Sequence, residues 1–514
     1  MLPIDTLYRG RQINPDGIAL EDDTTQLTYR ELVARVEAVA AALQERLPAP
    51  QAKVGACGFN NLQHVIGILA THLAGHIWVA VNPRSGKAEN TALMDLVEPD
   101  LMIADDAARD AFDIGDTPFI VSGPDGRSHA DDTVDGLIDA YRGKRPERHL
   151  LDPNTDAQAI KFTGGSTGLP KAVIQPYRTG TTLIGTVLSV FGLNTNDIQV
   201  AAAPVSHAAF ILMLPIFAVG GRNIVLPTPD PDRILHAFEK REVSTIFMPP
   251  TMIYKTIADP DIERRTFPNL RHLIYGAAPM PPSLLRRAMN TFSCNFIQAF
   301  GAGTEAGLQA VLTPADHRRA LDGHEYLLTS IGKPASNVDL RLCDDDLNDV
   351  PAGTVGEIVT RSDMVMSGYL DNPEASADAL AGGWFRAGDL AWMDDDGYLY
   401  LSGRKKDMII RGGENVYPIE IETVLFEHDA IKDAAVVGHP DEHWGETVAA
   451  YLVLEPGAAT PPDDELAAFC RSKLARYKVP TDYVWVDTFP LNASGKVLKR
   501  ELRSPHTPGT SLED

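Results

Sequence analysis

From Thr163 to Lys171 the chain reads Thr-Gly-Gly-Ser-Thr-Gly-Leu-Pro-Lys, a composition suited to holding a polyphosphate. Gly164, Gly165 and Gly168 let the backbone approach a ligand and turn its N–H groups inward, while Thr163, Ser166 and Thr167 add hydroxyl donors and Lys171 adds a positive charge. The apolar runs Ala159-Ile160-Lys161-Phe162 and Ala172-Val173-Ile174 flank it as strands, which makes the stretch a loop between strands. It is not a Walker A loop, because Lys171 follows no glycine and no Ser or Thr follows it. By itself the stretch reads equally well as a glycine-rich surface loop.

Further stretches downstream remove that ambiguity. They are Phe300-Gly301-Ala302-Gly303-Thr304-Glu305, Trp384-Phe385-Arg386-Ala387-Gly388-Asp389-Leu390, Gly403-Arg404-Lys405-Lys406-Asp407, Gly412-Gly413-Glu414-Asn415-Val416-Tyr417-Pro418 and Asn492-Ala493-Ser494-Gly495-Lys496. In this order and at these separations the chain resembles the adenylate-forming superfamily, and within it the acyl- and aryl-CoA ligases of benzoate type. The resemblance spans nearly the whole sequence.

It implies an AMP-forming acid–CoA ligase that uses ATP, Mg2+ and CoA. The phosphate loop, Thr163 to Gly168 with Lys171, would cradle ATP; Gly276, Ala277 and Ala278 would form a flat wall for adenine, and Phe300 or Gly301 would fill the aromatic slot beside it. Thr304 would reach the α-phosphate and Glu305 the Mg2+, a sensible ligand because this ion takes one or two carboxylates plus phosphate oxygens. Asp389 would accept from both ribose hydroxyls, and Arg404 would contact the ribose or α-phosphate. His207 would stand beside the acyl carboxylate, and Lys496 would stabilise the charge that develops during adenylation.

The acid pocket expected from the same resemblance is His207, Ala208, Ala209, Phe210, Ala302, Gly303 and Leu308, with no Arg or Lys to hold a second carboxylate. A neutral-tailed aryl, alicyclic or medium-chain acid follows. Arg84, Gly412, Gly413, Trp444, Tyr477 and Lys478 would serve CoA, with Arg471, Lys473 and Arg476 extending a local positive patch. The chain departs from the family pattern in two places. Two residues, Ala302 and Gly303, separate Gly301 from Thr304 where one is usual, and Gly164 stands where many relatives carry Ser.

These residues need a framework of more than one core, because 514 residues exceed a typical domain. The expected class is α/β: a large N-terminal domain, residues 1–403, of stacked βαβ subdomains plus a small barrel-like β region, then a small mobile α+β domain, residues 404–514, hinged near Lys406. In the first part Thr28 with Glu31 reads as a helix cap. Val54 to Gly58, a helix from Asn61 and Ile77 to Val81 read as strand, helix and strand of a parallel sheet, and Asn82-Pro83-Arg84 ends that unit in a turn. Gly356 to Val359 and Gly368-Tyr369 are assigned to the barrel-like region. Near the C-terminus, strands at 434–437 and 448–454 and a helix through Leu474 are expected.

Composition excludes other classes. The net charge of −24 argues against a nucleic-acid partner. Cys57, Cys294, Cys343 and Cys470 are spaced for neither a metal site nor a disulfide framework, which fits a reducing, cytoplasmic setting. The apolar stretch from Ala208 to Gly221 contains Pro215 and is too short to span a bilayer. The expected partners are therefore small molecules, a carboxylic acid, ATP and CoA, with a homodimer left open. A stand-alone acyl-AMP ligase that loads a carrier protein and a medium- or long-chain fatty acid–CoA ligase also stay open. So do a luciferase-like oxygenase and a catalytically silent nucleotide-binding protein.

Overall fold

The computed structural model describes residues 1–113, 115–123, 132–163, 170–206, 208–491 and 497–503. Two large sheets dominate. The nine-stranded one has a parallel centre, in which His272–Gly276 lies between Thr245–Met248 and Asn295–Phe300. The seven-stranded one has Ile77–Val81 at its centre, parallel to Ala157–Thr163 on one side and to Lys53–Cys57 on the other, which in turn is parallel to Leu101–Ala104.

The local signals act as chemistry dictates. Thr28 caps the helix Tyr29–Arg46: its hydroxyl accepts from Glu31 N, and the Glu31 carboxylate accepts from Thr28 N at 2.9 Å. Asn61 caps Leu62–Leu73 by accepting from His64 N at 2.7 Å. That helix carries the chain from Lys53–Cys57 to the parallel Ile77–Val81, as expected.

The main core lies between the two sheets and draws Leu20, Val200 and Ile224 from one and Val54, Trp78 and Ala159 from the other. Asn60 ties the sheets together. Its Nδ2 donates to the carbonyls of Ala201, Ala203 and Leu226 at 3.3, 2.9 and 3.0 Å, and its Oδ1 accepts from Val205 N at 3.0 Å. With every polar atom of this buried amide engaged, the relative position of the sheets is fixed.

A four-stranded antiparallel sheet follows, ordered Asp339–Cys343, Gly356–Arg361, Phe385–Met393 and Leu399–Arg404. Gly368–Tyr369 does not join it. This pair is instead the edge strand of the seven-stranded sheet, antiparallel to Lys171–Pro176, and the Ser376 hydroxyl holds it by accepting from Tyr369 N at 2.8 Å. A short turn, Lys405–Asp407, leads to the last sheet. There Ile431–Asp441 and Gly445–Leu454 form a long antiparallel hairpin, joined by Ile409–Arg411, Glu414–Val416 and Asp482–Trp485. The helices Pro418–Leu425 and Asp463–Arg471 cover it and close a second core around Ile421, Val436 and Leu466. The helix expected through Leu474 ends at Arg471, though Leu474 N still bonds to Cys470 O.

No helix among the described residues is long and apolar enough to cross a membrane. The helix Ala208–Ala218 incorporates Pro215.

Candidate active site

The phosphate-loop hairpin is the antiparallel pair Ala157–Thr163 and Lys171–Pro176, in which Thr163 faces Lys171. The Lys171 ammonium lies 4.7 Å from the Tyr369 ring centroid. Gly164, Gly165, Ser166, Thr167 and Gly168 lie outside the described residues, as do His207 and Lys496. The two strands that carry the loop are where the sequence puts them.

Beside this hairpin runs the turn after Asn295–Phe300. Gln175, on the returning hairpin strand, donates from Nε2 to Thr304 O at 2.6 Å, and Met366 N donates to Glu305 O at 2.7 Å. The residue beyond the usual spacing is absorbed in one helical turn, where Ala302 O accepts from both Glu305 N and Ala306 N at 2.8 Å. Gly301 admits no side chain, because a Cβ there would lie 1.9 Å from Gly307 O. Phe300 ends its strand half-buried against Ala310, Ile331 and Leu342.

Protein atoms crowd the Glu305 carboxyl. Desolvation pushes its pKa up to about 7, and Asp389 pushes the same way while Arg404 and Lys171 oppose. These four side chains therefore share one electrostatic neighbourhood. Asp389 and Arg404 are directly opposed on adjacent strands, with Oδ1 2.9 Å from Nε, so the pair presents an acceptor and a fork of donors side by side. A hard carboxylate flanked by Lys171 and Arg404 suits Mg2+ shared with phosphate oxygens.

The residues expected to form the adenine wall, Gly276, Ala277 and Ala278, lie at the carboxyl end of the parallel strands, where open α/β sheets bind ligands. Gly276 is needed there, since a Cβ would stand 2.3 Å from Ala299 O, and Ala277 holds the left-handed conformation at φ +67°. Ala277 and Ala278 are exposed.

The expected acid-pocket residues divide. Leu308 packs with Val187, Ile297 and Val311, and Ala302 lies against Ala306 and Met366. Nothing crowds Gly303. Ala209 and Phe210 belong to the main core, where the Phe210 ring is 5.1 Å from Trp78 and 6.0 Å from His72; of Ala208 only the backbone is described, as the first residue of its helix. Next to Phe210 in that core, the Trp78 ring has the Lys161 ammonium 5.1 Å from its centroid. A lysine inside an apolar strand, two residues before Thr163, was the available signal.

The residues expected to serve CoA fall on two surfaces. Arg84 is exposed in the turn where Asn82 Oδ1 accepts from its backbone N–H at 3.0 Å. On the C-terminal sheet, Gly412 N donates to Trp444 O at 2.7 Å, and the Arg411 guanidinium lies 5.9 Å from the Trp444 ring centroid and donates to Tyr477 O at 2.9 Å. Trp444 is 46% exposed and Tyr477 37%, so neither is a core residue. Gly412 and Gly413 both hold positive φ, +61° and +87°. The positive patch is smaller than its sequence suggests, because Lys478 pairs with Glu420 at 2.7 Å and Lys473 with Glu427. At the junction, Arg503 Nη2 donates to Lys406 O and to Asp407 at 3.0 and 2.9 Å.

A fold of this kind with such a cleft defines a nucleotide-binding, adenylate-forming class. Residues 9–370 match the family model of the AMP-binding enzyme, and residues 420–496 match its C-terminal domain. The chain belongs to that family, in the branch of AMP-forming acyl- and aryl-CoA ligases. It is 34% identical over 499 residues to a feruloyl-CoA synthase of Amycolatopsis sp, covering 96% of this chain and 97% of the relative. It is 32% identical over 502 residues to a 2-succinylbenzoate–CoA ligase of Bacillus cereus, with 96% of each covered. Among solved structures, the amide bond synthetase McbA from Marinactinospora thermotolerans superposes with a TM-score of 0.87 at 28% identity, covering 98% of this chain and 99% of that one.

Proposed function

We propose that the chain activates an aryl or related ring carboxylic acid with ATP and transfers the acyl group to CoA. The observation that carries this reading is the convergence of the Thr163–Lys171 pair, Glu305 and the Asp389–Arg404 pair on one cleft.

In the first half-reaction a carboxylate oxygen of the acid attacks the α-phosphorus of ATP, and the bond to pyrophosphate breaks. The phosphate loop and Lys171 hold the β- and γ-phosphates, Asp389 accepts from the ribose hydroxyls, and Arg404 and Thr304 stand at the α-phosphate. Glu305 holds Mg2+, which when bound offsets phosphate charge. His207 and Lys496 complete the cleft at the acyl carboxylate. Much of the acceleration comes from positioning and charge stabilisation.

In the second half-reaction the CoA thiol loses its proton, its sulfur attacks the acyl carbon, and AMP leaves. The same cleft serves both steps. Residues 404–514 turn about Lys406, which withdraws Lys496 and brings Gly412, Gly413 and Trp444 to the cleft mouth. The exposed Trp444, Arg411 and Tyr477 group supports CoA as acceptor over a carrier protein, because exposed aromatic rings beside a guanidinium can stack on a purine nucleotide. The chain acts on small molecules, and we place it in the cytoplasm.

The test is a panel of carboxylic acids incubated with purified enzyme, ATP, Mg2+ and CoA, following AMP, pyrophosphate and loss of free thiol. Stoichiometric formation of all three with a ring acid is expected. Turnover that gives AMP without thiol loss would exclude CoA as the acceptor.

A further inference from the structure

Three polar side chains gather beside the first strand of the phosphate-loop hairpin, two of them buried without a partner. Lys161 and Thr163 point to the same face of their strand, since they are two residues apart. Trp78 lies on the neighbouring parallel strand, opposite Ala159, and His72 closes the group with its ring centroid 5.8 Å from that of Trp78. Trp78 is 1% exposed and His72 2%. Neither Trp78 Nε1 nor either ring nitrogen of His72 has a hydrogen-bond partner among the described residues, and no carboxylate among them forms an ion pair with Lys161.

These groups are mostly donors. The indole offers one N–H, the ammonium three and a neutral imidazole one. Stacking on Trp78 offsets part of the lysine charge, and Lys161 is only half-buried, so its N–H groups stay open to a ligand. Buried donors are almost always matched, and a matched set of this kind lacks only an acceptor. Burial lowers Lys161 to about 8 and, with Lys161 adding to the effect, His72 to about 3, so the group carries at most one charge.

We propose that Lys161, Trp78 and His72 form the inner polar end of the acid pocket and take an oxygen acceptor, a hydroxyl, carbonyl or second carboxylate, carried by the acid at the end away from its reacting carboxylate. This rests on the acid-activating reading and narrows its substrate class. Two placements favour the far end. Lys161 is set back from Thr163 by two strand residues, roughly 6.6 Å, which is about the span of a para-substituted benzene ring. Phe210, three residues past His207, supplies the apolar wall between, 5.1 Å from Trp78.

The experiment compares benzoate and 3-phenylpropenoate with their 4-hydroxy and 4-carboxy forms, reading kcat/KM by pyrophosphate release. In the wild type the oxygen-bearing acids should be used at least tenfold better than their parents. Lys161→Met should bring that ratio to within about threefold while leaving the KM for ATP unchanged, Trp78→Phe should fall between, and Lys161→Arg should retain most of the preference. Equal use of all acids by the wild type would overturn the inference alone, without any variant. A uniform loss for every acid in Lys161→Met would also overturn it, by assigning the lysine to the reacting carboxylate or to the fold. Pyrophosphate release with none of the acids would overturn the activating reading and this inference with it.

Discussion

Asp389 and Arg404 stand opposite each other on adjacent antiparallel strands, with Oδ1 2.9 Å from Nε, and Asp389 is almost wholly buried. Each therefore fixes the other. Asp389→Ala removes the proposed ribose acceptor and frees Arg404, so the KM for ATP should rise about 10- to 100-fold, the range of a lost charged hydrogen bond. Steady-state kinetics with varied ATP check this, and Asp389→Asn should lie between.

Glu305 gives a pH dependence whose sign is set by its surroundings. Its carboxyl is raised from 4.5 to about 7 in the folded protein, so between those values the folded state keeps a proton that the unfolded chain has released. Stability then falls as pH rises from about 4.5 to 7 and levels off above, by about 3 kcal/mol. Glu305→Gln should abolish that fall, measured as the difference in thermal midpoint between the two proteins from pH 4.5 to 8. In the wild type, added Mg2+ with ATP should favour the ionised form and move the midpoint of activity below 7.

A substitution at Gly412 should separate the two half-reactions. A Cβ there would lie 2.7 Å from the Trp444 ring, on a backbone with φ +61°. Gly412→Val should therefore displace Trp444 and slow the CoA step at least tenfold, while acyl-AMP formation stays within about twofold. Single-turnover assays of each step, the second started from supplied acyl-AMP, distinguish this from a general loss. Lys496→Ala should give the opposite pattern.

Asn60 is a test of the framework. Asn60→Leu would strand the carbonyls of Ala203 and Leu226 and the N–H of Val205 in the core, while Ala201 O keeps its bond from Leu226 N, and about 2–4 kcal/mol of stability should be lost. Urea denaturation reads this as a lower midpoint.

Much of this architecture was legible in the chain itself, and the exceptions have physical causes. Caps such as Thr28 with Glu31 and Asn61 work through bonds to residues three places away, so local sequence carries them. The strands around the phosphate loop show as short apolar runs for the same reason. Gly368–Tyr369 was misplaced because a two-residue strand has no periodicity, and its partner strand lies almost 200 residues earlier. The positive patch was overstated because sequence counts charges without partners; Glu420 and Glu427 lie 58 and 46 residues from the lysines they neutralise. Lys161 reads in the chain as one charge in a strand, which usually marks a solvent-facing position, and only the fold sets its ammonium over Trp78, whose ring also meets His72 and Phe210.

The most direct measurement of the central claim is acid-dependent exchange of labelled pyrophosphate into ATP with no CoA present. Adenylation as a separate first step predicts exchange that needs both the acid and Mg2+ and that stops in Lys496→Ala. Exchange that appears only after CoA is added, or nucleotide turnover that yields ADP instead of AMP, would contradict it.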